Sequence, residues 1–301
     1  MEAKTTIVTS LYNRKQTTME VIDKLFIPSL LLNGNSDTEI IFIDDASPLE
    51  KETRNLIGKY LPELKKVFGN IIFTRNNSSL GFAGSFNRGI FMASGEKILV
   101  TNDDVFFPER TIAKLIATLS EKETYAFVGP INNDKNTLSY QYCRQVPTLS
   151  SYSSNEIGKL KLFSKWLAHE MAGRRMITDD IRGFCFAAYT KLIKDIGGFN
   201  TSYKYGYFED NDIIQRALMM YGNESIVINM EVFVAHGGIH GSSGTVFQQP
   251  MKAVKSSIKN GLRYGSDWGY DKYLKIIWSS IHRQYSSKGT ISEIFPKEIQ
   301  F

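Results

Sequence analysis

The sequence predicts an α/β fold: a mostly parallel central sheet with helices on both faces, followed by a C-terminal helical segment. Three observations carry this. Short apolar runs alternate with stretches of helical period through the first 130 residues, the pattern of strands joined by crossover helices. Two of those runs end in paired carboxylates, and open parallel sheets bind ligands beyond the carboxyl ends of their strands. The composition, 42% hydrophobic and 22% charged over 301 residues, is that of a globular chain and excludes disordered, collagen-like and coiled-coil classes.

The elements follow in order. Residues 6–11 read as a buried strand, and residues 17–32 as a helix with Pro28 marking a kink or boundary. A second strand, 39–45, stays apolar until Asp44 and Asp45. Ser47-Pro48-Leu49-Glu50 then has the form of a helix start, with Ser47 as N-cap, Pro48 in the first helical position and Glu50 completing a capping box. Leu49, Leu56, Ile57, Tyr60 and Leu64 supply its apolar stripe. A third strand, 70–74, leads to a segment punctuated by Gly81, Gly84 and Gly89. The strand 97–101 stops at Asn102-Asp103-Asp104.

From 131 to 181 the pattern loosens, with loop-like Asn132-Asn133-Asp134, a Ser cluster at 150–154 and an amphipathic helix at 157–171. Regularity returns with a strand at 182–188 and the turn Gly197-Gly198-Phe199. Phe208-Glu209-Asp210-Asn211-Asp212 opens a helix that buries Ile213, Ile214, Ala217, Leu218 and Tyr221. The strand 225–235 ends at His236-Gly237-Gly238.

The net charge of +5 is unevenly placed. Residues 1–251 hold 27 basic and 27 acidic side chains, whereas residues 252–301 hold nine and four. A basic end on a neutral body suits an anionic partner, or is a solvated helix face. Two helical runs lie there, 251–264 and 273–285. In the second, Tyr273, Ile276, Ile277, Ser280 and Ile281 form an apolar stripe beside Lys272, Lys275 and Arg283. That face is suited to the body, to a second copy or to an anionic membrane. Cys143 and Cys185 are too few for a disulfide framework and lack metal-ligand spacing, which points to a reducing compartment. With no signal-peptide pattern and no apolar run of the ~18 residues a bilayer span needs, the expected location is cytoplasmic, at most peripheral on the inner face of a membrane.

Each acidic group at an element end could be a helix cap or dipole partner. Taken together, Asp44/Asp45, Asp103/Asp104, Glu209/Asp210/Asp212 and His236 converge on one sheet edge, where they would repel one another without a cation. Carboxylates with one imidazole suit Mg²⁺ or Mn²⁺, whose remaining positions go to water or substrate phosphates. A diphosphate-bearing substrate follows.

The ordered set Tyr12-Asn13-Arg14, Asp44-Asp45-Ala46-Ser47, Asn102-Asp103-Asp104, Gly197-Gly198-Phe199 and Glu209-Asp210-Asn211-Asp212 resembles family 2 glycosyltransferases of the GT-A (Rossmann-like) fold. Within that family it is most similar to rhamnosyl- and galactosyltransferase-like enzymes of bacterial surface-polysaccharide synthesis. The likeness covers about residues 5–240. It implies a metal-dependent inverting transfer of a sugar from a uridine or thymidine diphosphate donor to a hydroxyl of a glycan or lipid-linked acceptor. Tyr12, Asn13 and Asp44 fall where the family holds the base, and Asp45 near the ribose. Asp103 falls on the donor side, with Asp104 and His236 as metal ligands and His240 as a competitor for that role. Asp210 falls at the catalytic base, with Glu209 and Asp212 in support, and Arg88 at a phosphate or sugar contact. Asn102 stands where the family's DxD motif has its first Asp. The implied organisation is a catalytic domain over 1–249, with a donor half to 130 and an acceptor half beyond it, and a basic helical extension over 250–301.

Acidic metal sites on α/β sheets also belong to nucleotide-sugar pyrophosphorylases and other nucleotidyltransferases, although the early Gly-rich loop with an Arg-Lys pair is missing. The pI of about 8.9 admits a nucleic-acid partner, but no helix-turn-helix, zinc-finger or RNP pattern supports one. A DNA-modifying glycosyltransferase would combine the two readings.

Overall fold

The computed structural model describes residues 4–134, 140–143, 146–147, 149, 151–203, 206–236 and 250–285. Its strands are β1 (Thr5–Leu11), β2 (Thr38–Asp44), β3 (Asn70–Arg75), β4 (Lys97–Thr101), β5 (Val105–Phe106), β6 (Phe127–Ile131), β7 (Arg175–Ile177), β8 (Cys185–Tyr189), β9 (Ile226–Phe233) and β10 (Ala235–His236). Eight of them form one sheet in the order β3-β2-β1-β4-β8-β6-β9-β7, and β5 pairs with β10 apart from it. β3, β2, β1 and β4 run parallel, as do β6 and β9, while β8 and β7 run against their neighbours. The sheet is therefore mostly parallel, as the sequence predicts.

Side chains alternate between two cores, as the period of a strand requires. Ile7, Leu11, Ile40, Phe42 and Leu99 pack on one face beneath α1 (Gln16–Val21), α2 (Ile27–Leu31), α3 (Glu50–Val67) and α5 (Thr111–Thr118). Val8, Ile41, Ile43, Ile98 and Val100 pack on the other beneath α4 (Gly81–Met92), α6 (Ser154–Glu170), α7 (Thr190–Asp195) and α8 (Glu209–Tyr221).

Three local expectations change. Between α1 and α2 the chain is π-helical at Ile22–Phe26. Pro28 cannot bond the carbonyl four residues back, and a widened turn accommodates that loss. The helix expected from Ser47 begins at Glu50, with Leu49 as its cap residue and no side-chain cap. Ser47 is used elsewhere: its Oγ accepts from the Asn13 N–H at 2.9 Å, and its own N–H donates to Asp44 Oδ1 at 2.9 Å. Finally, β6 runs up to the stretch that reads as irregular, and β7 lies within it. Pro130 lies in β6, and the register with β9 shifts beside it, as expected where a strand residue lacks an N–H.

The C-terminal runs form α9 (Pro250–Trp268) and α10 (Tyr270–Tyr285). Tyr264 is fully buried with Tyr203 and Phe208, flanked by Trp268, Tyr273, Ile276 and Ile277. The apolar stripe expected in the second run thus covers the body, in the part whose side chains are described. Lys272 donates to Gln215 and Lys275 pairs with Asp179 at 2.6 Å. A different row on each helix remains exposed: Val254, Ile258 and Leu262, and Tyr270, Leu274 and Trp278. Among the described residues, no helix is long and apolar enough to cross a membrane.

Candidate active site

Parallel register brings the first carboxylates together. Leu11 pairs with Asp44 across β1 and β2, and Thr9 with Thr101 across β1 and β4, so the segments after these strands share one edge. Asp44 is buried against the Arg75 guanidinium and accepts from Ser47 N. Next to it, Asn13 donates through Nδ2 to Thr53 Oγ1 at 2.9 Å, while its Oδ1 is buried without a hydrogen-bond partner. Tyr12 lies beneath Arg14, whose guanidinium carbon stands 4.5 Å from the ring centre.

The side chains of Asp45 and Arg88 are engaged in the fold itself. Asp45 accepts from Asn76 Nδ2, Ser79 Oγ, Leu80 N and Gly81 N at 2.7–3.0 Å. It thereby caps α4, where an anion is favoured by the free N–H groups. Arg88, which the resemblance assigns to a phosphate or sugar, donates to Arg75 O, Asn76 Oδ1 and Thr74 Oγ1 at the end of β3.

After β4 the chain turns at Asn102, whose N–H donates to Phe184 O at 2.8 Å. Asp103 and Asp104 are both buried. The short β5–β10 ladder sets His236 opposite Val105, one residue beyond Asp104. His236 Nε2 consequently lies 3.5 Å from Asp104 Oδ1, and Nδ1 lies 3.3 Å from Asp134 Oδ2. The imidazole stacks on Phe184 at 4.5 Å, and its backbone N–H donates to Asn133 Oδ1. Burial acts to lower the histidine pKa, but Asp104, Asp134 and Asp103 together raise it. Asp134 was not singled out in the sequence. It stands shortly after β6, another carboxylate at a strand end. Gly237, Gly238, His240, Ser242 and Ser243 lie outside the described residues.

Glu209, Asp210 and Asp212 sit on the first turn of α8. Gly197 and Gly198 have φ of 83° and 66°, and a Cβ on Gly198 would stand 2.4 Å from Asn87 Oδ1. That close approach lets the Asn87 amide bond both the N–H and the carbonyl of Phe199, tying α4 to the turn. Phe199 joins Phe82, Phe86 and Phe186 in an aromatic cluster. Arg182 then collects the acids. Its guanidinium lies 3.6 Å from Asp210 Oδ2, 3.7 Å from Asp180 Oδ1 and 3.3 Å from Asn211 Oδ1. Asp212 turns away from Asp210. It accepts from Arg216 and, through Oδ1, from Trp268 Nε1 at 2.9 Å, so its contacts are those of a residue that anchors α8.

Glu209 is 7% exposed, and its Oε2 has no hydrogen-bond partner. Burial, and then the neighbouring Asp210 charge, push its carboxyl up to about 8, against the pull of Arg182. The folded chain therefore keeps a proton that the unfolded chain, with an ordinary carboxyl near 4.5, has already released. Stability falls as pH rises through that window. Glu209→Gln removes the titration, so between pH 5 and pH 9 the wild type should lose more melting temperature than the variant. Parallel melting curves across that range would contradict the assignment.

The two halves of the site meet at consecutive residues. A methyl group on Gly183 would stand 3.5 Å from Asp210 Cβ, while Phe184 carries the His236 ring. Asp104 and His236 suit a small hard cation in donor chemistry, and the Asp134 contact on the far imidazole nitrogen is the usual partner of a ligating histidine. Among the described residues, no cluster of three or more His, Cys, Asp or Glu side chains is arranged to hold a metal ion. An ion here would therefore take most of its ligands from water or phosphate.

Comparison with known proteins agrees with this architecture. The sequence matches the model of glycosyl transferase family 2 over residues 6–189. No curated protein matches the chain. Among solved structures, the mannosyltransferase PcManGT from Pyrobaculum calidifontis, in complex with GDP-Man and Mn²⁺, is similar over 97% of this chain and 77% of its own, with a TM-score of 0.57 and 14% identity. S. aureus TarS, residues 1–349, is similar over 98% and 76%, with a TM-score of 0.54 and 16% identity. GalNAc-T7 with UDP, GalNAc and Mn²⁺ is similar over 97% of this chain and 53% of its own, at 0.57 and 16%. The family match covers more than half of the chain, from the first strand through the whole of β8, and on that ground the protein belongs to glycosyl transferase family 2, a glycosyltransferase of the GT-A fold.

Proposed function

We propose that the protein is a metal-dependent, inverting glycosyltransferase acting on a uridine or thymidine diphosphate sugar and a hydroxyl of a glycan or lipid-linked acceptor. The observation that carries this is the junction at Gly183 and Phe184, where the Asp104–His236 pair and Asp210 flank one short stretch of chain. One group suits a cation beside a diphosphate, and the other suits proton removal from an attacking hydroxyl.

Asp104 and His236 would hold a divalent ion, Mn²⁺ or Mg²⁺, which when bound would supply positive charge against the leaving diphosphate. Asp103 lies on the donor side of that pair. Tyr12, Asn13 and Asp44 receive the base: Asn13 Oδ1 is an acceptor in reserve, and each Asp44 oxygen has a second acceptor site beyond the bond it already makes. Asp45 shapes the ribose end through the first turn of α4. Asp210 takes the proton of the acceptor hydroxyl as its oxygen bonds to the anomeric carbon. The bond from that carbon to the diphosphate oxygen breaks on the opposite face, its electrons leave with the diphosphate, and configuration inverts. Glu209, held protonated at neutral pH by burial and by the neighbouring Asp210, adds no second charge to this turn of α8.

A thermal-shift screen of nucleotide sugars with Mn²⁺, followed by an assay of nucleoside diphosphate release, tests the reading. A saturating ligand stabilises by about 2.7 kcal/mol at a hundredfold excess over its dissociation constant. A uridine or thymidine diphosphate sugar should therefore raise the melting temperature by roughly 5 °C and release its diphosphate on adding acceptor. Pyrophosphate formed from a sugar-1-phosphate and a nucleoside triphosphate, without diphosphate release, would instead indicate a nucleotidyltransferase.

A further inference from the structure

The helix that carries Asp210 is entered through an unusual turn. Gly206, Tyr207 and Phe208 have φ of 84°, 74° and 71°. Two of them are bulky residues in a backbone region that normally excludes a Cβ, and such a conformation persists only where its surroundings hold it. The C-terminal helices supply that hold. Asn260 on α9, 3% exposed, donates through Nδ2 to Gly206 O at 2.9 Å and to Tyr207 O at 3.2 Å. The Phe208 ring lies 5.5 Å from that of Tyr264 and 5.7 Å from that of Tyr273. Two residues beyond Asp210, Trp268 Nε1 holds Asp212. One helical pair thus grips α8 just before and just after Asp210.

We propose that Asn260 is a positioning residue for Asp210, pinning the left-handed turn ahead of α8, and that the C-terminal helices are part of the transfer machinery. The inference rests on Asp210 as the base. Of the two carbonyls that Asn260 binds, one belongs to Tyr207, a strained residue, and the other to Gly206 just ahead of it. Without its amide the turn loses the two bonds that fix it from α9 and relaxes toward ordinary backbone, taking Asp210 with it. A displacement of about 1 Å at a reacting group costs on the order of a hundredfold in rate. The base-binding residues stand on segments that follow β1 and β2, so nucleotide affinity should be untouched.

Asn260→Ala and Asn260→Asp are compared with wild type in the full chain. The Asp variant keeps the volume and loses the donor. Expected are a 10- to 100-fold loss of kcat, a KM for the nucleotide sugar within about twofold, and unchanged calorimetric binding of UDP with Mn²⁺. Hydrogen exchange should speed up at residues 206–213 and stay native in β1, β2 and β4. Lys259→Ala, an exposed neighbour on the same helix, should behave as wild type. If Asn260→Ala fails to fold, Asn260→Asp and Trp268→Phe decide the matter by the same split between kcat and KM. A folded Asn260 variant with native kcat and native exchange at 206–213 overturns the proposal. That outcome, with Asp210→Asn inactive, removes the positioning role alone. Native transfer by Asp210→Asn would remove the base assignment instead, and exchange at 206–213 would still report whether Asn260 holds the turn.

Discussion

Asp210→Asn should abolish sugar transfer to within about one part in a thousand of the wild-type rate while leaving nucleotide binding intact. General-base catalysis contributes typically 10²–10⁴-fold, and an amide cannot take the proton of the incoming hydroxyl. The substitution is nearly isosteric. Arg182 keeps Asp180 and Asn211 as partners, so the guanidinium is not left uncompensated and the fold should survive. The bond that Asp210 Oδ1 accepts from Asn211 N can be made by an amide oxygen as well. The measurement is nucleoside diphosphate release at saturating donor and acceptor, set beside calorimetric titration with UDP and Mn²⁺. Loss of rate with unchanged binding supports the base. A native rate rejects it. Loss of both places Asp210 in donor binding.

The legible parts of this molecule are those fixed by short-range pattern. β1, β2 and β4 could be read because each is an apolar run with no competing signal, and their ends mark the site because parallel strands must finish at one edge. β6 and β7 could not. Gly129 and Pro130 break the apolar pattern of the first, and three residues are too few to show a period in the second. Ser47 shows the converse error. The Ser-x-x-Glu spacing is a true capping pattern, but the hydroxyl is taken by the Asn13 N–H from the loop after β1, and no local rule reports that. Arg88 makes the same point: its charge is visible in the sequence, while the three acceptors it binds lie 12 to 14 residues away. The apolar character of the C-terminal helices is plain in the sequence, yet the surface they cover is not, because Phe208 and Tyr203 come from a turn about sixty residues earlier.

The Asp104 side of the site should show an effect as large as Asp210→Asn, with the opposite signature. Asp104→Ala should weaken Mn²⁺ binding in the presence of UDP by about a hundredfold and depress transfer by a factor of 10³ or more, since a bound cation offsets the charge of the leaving diphosphate. Excess Mn²⁺ should recover part of the rate, which no excess can do for Asp210→Asn. His236→Ala should behave alike but more mildly, because water can occupy the position of a neutral imidazole. Asp134→Asn tests the shell behind it. The carboxylate 3.3 Å from Nδ1 orients the ring and raises its basicity, and outer contacts of this kind are worth about 10- to 100-fold in metal affinity. Mn²⁺ electron paramagnetic resonance titration reads binding without turnover, so the ranking Asp104 above His236 above Asp134 can be checked before any acceptor is known. If Mn²⁺ binds the Asp104 variant as tightly as wild type, the ion lies elsewhere. The short β5–β10 ladder, which alone brings His236 opposite the residue after Asp104, would then be a structural clasp between the two halves of the sheet edge.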